Sequence, residues 1–239
     1  GAAARLALRP LLGWMQRWER AAAARVDWFI AISSAVQERI RRFYGRESVI
    51  IYPPVETARF SPAAEVGDYY LSLGRLIPYK RADLAVLACS ALGRRLKVAG
   101  GGRDHNRLTQ LAGSEVEFLG RAPAADLPDL MARCRAFLFP GLEDFGIAPV
   151  QALAAGRPVI AFAGGGALDT VIDGVTGVLF YEQTPPALAA AIERCERLEA
   201  AGAFDPAALR RHAERFDRAR FEREIAEFVQ SRPQRTQIE

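Results

Sequence analysis

The sequence predicts a doubly wound α/β protein built on a parallel sheet, and three observations carry that prediction. Short apolar runs recur along the chain, they are apolar on consecutive rather than alternate positions, and segments of helical period lie between them. Consecutive apolar residues suit strands covered on both faces, and a strand–helix–strand alternation implies parallel pairing with helical crossovers on both sides.

The elements follow in order. DWFIAI (27–32) reads as a strand, and Ser34 followed by Gln37 before AVQERIRRFY fits a capping box opening a helix. SVIIY (48–52) is the next strand, and from about residue 50 the main domain begins. Its strands are YYLSLG (69–74), RLKVAG (95–100), VEFLG (116–120), AFLFP (136–140), PVIAF (158–162) and VLF (178–180). The last sixty residues hold PALAAAIERCERLEA, DPAALRRHAERF and DRARFEREIAEFV with no strand signal, which reads as a helical wrap closing the domain. The tail, 231–239, reads as disordered, so the chain divides into 1–50, 51–230 and 231–239.

Composition narrows the function classes. Of 239 residues, half are hydrophobic and a quarter charged, which suits a globular protein with a sizeable core. With 32 Lys+Arg against 28 Asp+Glu the net charge is +4, and residues 1–50 hold nine Arg against Glu19, Asp27, Glu38 and Glu47. The basic excess is therefore N-terminal, and with no clustered aromatics it gives no case for nucleic acid. That basic segment reads either as a surface for an anionic membrane or as a solvated helix face. Arg5, Arg9, Arg17 and Pro10 interrupt it, so neither a spanning helix nor a signal peptide is expected. Cys89, Cys134 and Cys195 are far apart in apolar or helical runs, and His105 and His212 are isolated. No metal site or disulfide framework is expected, and a reducing, cytoplasmic compartment is, with peripheral contact at the inner membrane face as an extension.

In an open parallel sheet, ligands bind outside the carboxyl ends of strands, where loops meet helix N-termini. After YYLSLG comes GRLIPYKRAD, placing Gly74, Arg75 and Lys80 before a helix that opens near residue 81. Two cations beside free helix-start amides suit a phosphate or diphosphate, and only Lys80 and Lys97 are lysine in this arginine-rich chain; a solvated loop with ordinary surface cations is the alternative. Gly100, Gly101 and Gly102 read as a tight turn, because the sixth position of a dinucleotide fingerprint would be His105. No Gly-Lys-Ser/Thr occurs, which argues against a P-loop.

The stretch AFLFPGLEDFGIAPVQALAAGRPVIAFAGGG carries the most chemistry. A strand ends at Pro140, a loop carries Glu143 and Asp144, and a helix beginning near Gly146 exposes the Phe145, Gly146 and Ile147 amides to an anion or sugar hydroxyls. Gln151 lies about one and a half turns further in. The two acids also fit as helix-start residues complementing the dipole. Gly164, Gly165 and Gly166 would let backbone approach the same ligand closely. Ser33 and Ser34 lack a nearby base and read as helix caps, and Asp169 and Asp173 as turn and cap residues.

Taken together, SVIIYPPVE, LGRLIPYKR, VEFLGRAP and EDFGIAPVQALAAGRPVIAF with its GGG, in that order, resemble the donor-binding half of retaining nucleotide-sugar glycosyltransferases of the GT-B fold, family 4. The likeness covers about residues 27–230, includes a returning C-terminal helix, and in YPPV, GRLIPYKR and EDFGIAPV is nearest to bacterial mannosyltransferases acting on lipid-linked surface glycans. The resemblance implies a Rossmann-like donor domain at 51–230 and, in 1–50, a remnant of the N-terminal acceptor domain with its linker. A chain that does not begin with Met is then expected to be a truncated enzyme. It implies a nucleoside-diphosphate sugar, GDP-mannose foremost, as donor substrate, a glycan or lipid-linked acceptor, retention of configuration, and no cofactor or metal. Residue by residue, it implies that Arg75 and Lys80 take the diphosphate and that Glu143 takes the sugar hydroxyls beside the Asp144, Phe145, Gly146 and Ile147 segment. Leu119, Gly120 and Arg121 would meet the base. The family's E-x7-E motif ends here in Gln151, which loses the charge-assisted bond of a carboxylate to the ribose. A binding module without transferase activity, or a UDP- or dTDP-sugar transferase, is the alternative.

Overall fold

The computed structural model describes residues 2–232, with side chains from residue 8 onward. The expected disordered tail falls, beyond residue 232, outside the described residues.

The chain opens with α1 (Ala2–Ala24), β1 (Phe29–Ala31), α2 (Ser34–Tyr44) and β2 (Ser48–Ile50), and β1 and β2 pair in parallel as a two-stranded sheet. After it come β3 (Tyr69–Leu73), α3 (Ala82–Leu92), β4 (Arg95–Ala99), α4 (His105–Leu111), β5 (Val116–Gly120), α5 (Leu127–Ala132) and β6 (Phe137–Phe139). The order continues through α6 (Ile147–Ala154), β7 (Val159–Phe162), α7 (Ala167–Thr170), β8 (Gly177–Phe180), α8 (Pro185–Ala200), α9 (Pro206–Ala213) and α10 (Arg218–Gln230). The six later strands form one parallel sheet in the order β5-β4-β3-β6-β7-β8.

That order runs outward from β3 in one direction and from β6 in the other, so connections reverse between these two central strands. Both are buried along almost their whole length, which explains their largely apolar spelling, broken only by Ser72. Successive residues then feed opposite layers. Leu71, Phe137, Phe139 and Val159 join a core with α6 and Phe216, while Tyr70, Leu138 and Ile160 join a second core with α3 and α8. Cys89, Cys134 and Cys195 are free thiols inside these layers, and burial pushes each up to about 12.

The C-terminal helices wrap the domain as their spelling suggests. Thr184, Asp205 and Asp217 cap α8, α9 and α10 by accepting backbone N–H bonds. The chain then returns to the linker that follows β2. Val55 N–H donates to the Phe216 carbonyl, and Thr57 donates to the Asp217 carboxylate.

The capping box expected at Ser34 and Gln37 does not form. Ser33 is the cap, accepting from Val36 N–H at 3.2 Å, while Gln37 donates to the Ser48 carbonyl and pins α2 to β2. The Ser34 hydroxyl is taken instead by the carboxylate of Asp169, a charged and therefore stronger acceptor. Asp173 caps no helix. It accepts from Leu179 N–H and from Arg194, holding the turn that leads into β8.

Candidate functional site: a cleft at the strand-order reversal

The β3 and β6 ends deliver two loops to one place. After β3, Gly74 N–H bonds the Ala99 carbonyl and Leu76 N–H bonds the Gly101 carbonyl, so Arg75 stands on a braced loop. Gly102 is what permits this approach, since a Cβ there would overlap the Leu76 backbone. The glycine run is therefore a packing turn. The loop ends in a short turn over Pro78–Lys80 and at Arg81, whose φ of 52° makes it the only non-glycine residue with positive φ among the described residues. Its guanidinium bonds Asp83 at 3.1 Å and the Gln183 carbonyl at 3.3 Å, and Gln183 donates to the Pro140 carbonyl at 2.8 Å. Residue 183 thus ties the β3 loop to the β6 loop, and the strained Arg81 backbone is held by two partners.

Across that tie, Lys80 Nζ lies 2.5 Å from Glu143 Oε2, with side chains 25% and 18% exposed. The β6 loop is itself gripped by the turn after β7. Gly166 N–H donates to the Glu143 carbonyl at 2.8 Å, and Gly165, at φ 60°, faces the same carbonyl so closely that any Cβ would collide. The three glycines therefore admit the loop that carries Glu143, where close approach to a ligand was expected of them. Phe145 is buried, with its ring turned inward and stacked on Tyr52 at 5.9 Å. The Phe145, Gly146 and Ile147 amides donate no backbone hydrogen bond among the described residues, as expected where α6 begins.

One cleft of about 450 Å³ gathers Gly74, Lys80, Glu143, Phe145, Gly146, Ile147 and Gln151. Arg75 lines a narrow extension of it with Lys80 and Glu143, and its exposed guanidinium has no ion pair or hydrogen bond among the described residues. Asp144 turns away to pair with Arg39 at 2.7 Å. Leu119 and Arg121 line a different hollow, of about 500 Å³, with Tyr69 and Lys97. Gly120 is linked to the braced loops through its carbonyl, which accepts from Gly100 N–H at 2.6 Å. Lys97 stands 4.2 Å above the Tyr69 ring, away from the Lys80 cleft. Among the described residues no group of three or more His, Cys, Asp or Glu could hold a metal ion.

Sequence reasoning missed four contributors. Ile32, just after β1, and Pro53, in the linker after β2, also line the cleft. Arg39 and Asp169 join the two parts of the chain across 105 and 135 residues respectively, and no local pattern announces such pairings.

Strand order, braced loops and cations at the reversal define a class, the doubly wound α/β domains that take their ligands outside the carboxyl ends of the strands. Within it the chain belongs to the family described as glycosyl transferases group 1, which matches residues 55–235, while residues 2–59 match glycosyltransferase family 4. It is similar to the GDP-mannose-dependent alpha-(1-6)-phosphatidylinositol monomannoside mannosyltransferase of Mycolicibacterium smegmatis, at 30% identity over 62% of this chain and 47% of that protein. It is also similar to the D-inositol 3-phosphate glycosyltransferase of Geodermatophilus obscurus, at 31% identity over 83% of this chain and 51% of that protein. The chain spans about half the length of these relatives. Among solved structures, Anabaena Alr3699/HepE in complex with UDP and glucose superposes with a TM-score of 0.79 at 25% identity, covering 91% of this chain and 67% of that one. Sucrose-phosphate synthase from Thermosynechococcus elongatus shares the fold, with a TM-score of 0.80 at 24% identity over 90% and 60% of the two chains. The chain thus has the Rossmann-like α/β fold of the GT-B glycosyltransferases.

Proposed function

We propose that the cleft at the β3–β6 reversal binds a nucleoside-diphosphate sugar, with GDP-mannose the first donor to test, and that the sugar passes to a glycan or lipid-linked acceptor with retention of configuration. The observation that carries this reading is the pairing of Lys80 with Glu143 beside the unpaired guanidinium of Arg75 and the free amides at the start of α6. Breaking the anomeric bond builds negative charge on the departing diphosphate. Lys80 and the helix-start amides are in place before the reaction to meet it, with the Arg75 guanidinium free to join them, and such preorganised charge is commonly the largest catalytic contribution. Glu143 directs its carboxylate to the sugar hydroxyls and keeps Lys80 in place. No metal ion is assigned to this site.

The GDP-mannose-dependent relative supports the choice of sugar. The HepE complex with UDP and glucose favours a second reading, a uridine donor. Calorimetric titration with GDP, UDP and dTDP, then with the sugar conjugates of the tightest binder, separates the two, and binding of none of them refutes both. Transfer to an acceptor, assayed with retention read by NMR, tests the rest.

The reading extends to a peripheral place at the cytoplasmic face of a membrane. No helix among the described residues is long and apolar enough to cross one. On α1, Leu8, Leu11, Leu12, Trp14 and Trp18 are exposed beside Arg9, Arg17 and Arg20, which suits the surface of an anionic bilayer. Co-sedimentation with liposomes that ignores anionic lipid content would count against it.

A further inference from the structure

We infer that Asp169 is a positioning residue for the donor cleft, the point at which α2 and the loop carrying Glu143 are held to one another. The inference rests on the reading of that cleft as a donor site and adds to it a residue outside the cleft lining. A single carboxylate of α7 receives three bonds from two remote segments. Its Oδ2 accepts from both the backbone N–H and the hydroxyl of Ser34, each at 3.0 Å, and its Oδ1 accepts from the Tyr52 hydroxyl at 3.3 Å. Ser34 is the first residue of α2, so Asp169 places negative charge on that helix's positive end from across the molecule. Ser33 takes the Val36 N–H of the same helix start, so Asp169 satisfies a different free donor, that of Ser34.

On the other side of Asp169 the connection runs into the site. Asp169 N–H donates to the Gly166 carbonyl, and Gly166 N–H donates to the carbonyl of Glu143. The close fit of Gly165 and Gly166 against residues 143–145 leaves that loop no room to move apart from α7. Two residues before Ser34, Ile32 lines the same cleft as Glu143. Asp169 therefore holds together the two segments that bring these walls to the cleft. The second link between the same parts, Arg39 to Asp144, has both side chains about half exposed, and exposed pairs of this kind hold little on their own.

Hydrogen exchange of the ligand-free chain tests this directly. Asp169→Ala is expected to speed exchange at Ser34 and also at Gly166, on the order of tenfold or more, the scale set by losing charge-assisted bonds. Asp169→Asn keeps the shape and an acceptor oxygen and restores most of the Gly166 protection. Asp173→Ala, which frees Arg194 and the turn before β8, leaves Gly166 unchanged at a similar loss of melting temperature. If Asp169→Ala does not fold, Ser34→Ala combined with Tyr52→Phe removes two of the three bonds and gives the same pattern more weakly. Faster exchange confined to α2, with Gly166 protected as before, overturns the inference. A second readout, the affinity for the tightest-binding nucleoside diphosphate, falls about tenfold in Asp169→Ala and recovers in Asp169→Asn. If wild-type chain binds no nucleotide, the donor reading fails, while the exchange data still decide whether Asp169 couples the two walls.

Discussion

Lys80 and Glu143 meet at 2.5 Å across the strand-order reversal, each brought there by a different loop, so the cation and carboxylate of the cleft neutralise one another in the ligand-free chain. A diphosphate must share or take over Lys80. Arg75, by contrast, has no protein partner among the described residues to give up.

Lys80→Ala is accordingly expected to weaken nucleoside-diphosphate binding by about 1–3 kcal/mol, the scale of a charged hydrogen bond. Part of that loss comes from the bare Glu143 carboxylate left facing the anion. Adding Glu143→Gln should regain some of it, and calorimetry on the four corners of the cycle measures the coupling. Unchanged affinity in Lys80→Ala would remove Lys80 from the site.

Gln151 lies in the same cleft as Lys80, about one turn into α6. Gln151→Glu supplies a charged acceptor to ribose hydroxyls and is expected to tighten nucleotide binding by about 1 kcal/mol. Equal affinities in a side-by-side titration would show that no ribose reaches this position.

His212 sets a pH window for stability. Burial holds it below its ordinary value of 6.5, although its ring nitrogen lies 2.9 Å from the Thr170 carbonyl. The unfolded chain therefore takes up this proton first as the pH falls, and unfolding is favoured. Stability should decline below pH 6.5 until the folded-state value is passed, and His212→Gln should flatten that slope. Urea melts between pH 7.5 and 5 would reveal it, because the depressed carboxyls of Asp104 and Glu196 titrate only below their ordinary values of 3.8 and 4.5.

Glu196 accepts from Tyr70, Arg94 and Arg135, and the Arg94 bond holds its carboxyl below the usual range. Its side chain is 18% exposed. Glu196→Ala strands a half-buried guanidinium and the deeply buried Tyr70 hydroxyl, at a cost of about 3 kcal/mol. Ile160→Ala, in the fully buried centre of β7, should cost about 2–5 kcal/mol through the cavity it leaves. Equilibrium denaturation of each variant gives both numbers.

The strands were legible because central parallel strands spell themselves in consecutive apolar letters, as FLF and VIAF do in β6 and β7. The gathering of Arg75, Lys80 and Glu143 was legible for a topological reason. Loops after neighbouring central strands must converge, wherever the chain travels between them. The joints were not legible. Ser34 looks like a cap and Asp169 like a turn residue, because their partners lie two or more elements away. The glycine run at 164–166 was legible as permitting close approach, while the loop that its backbone meets, residues 143–145, was not legible, because it lies about twenty residues away.

The three thiols sealed in the sheet layers have a practical consequence. Pushed up to about 12 by burial, they remain protonated at neutral pH and are poor nucleophiles. A single cysteine introduced on the surface of α2 or α6 would thus be the one thiol a maleimide dye finds. Distances across the cleft can be followed spectroscopically in the native sequence background, without first stripping it of cysteine.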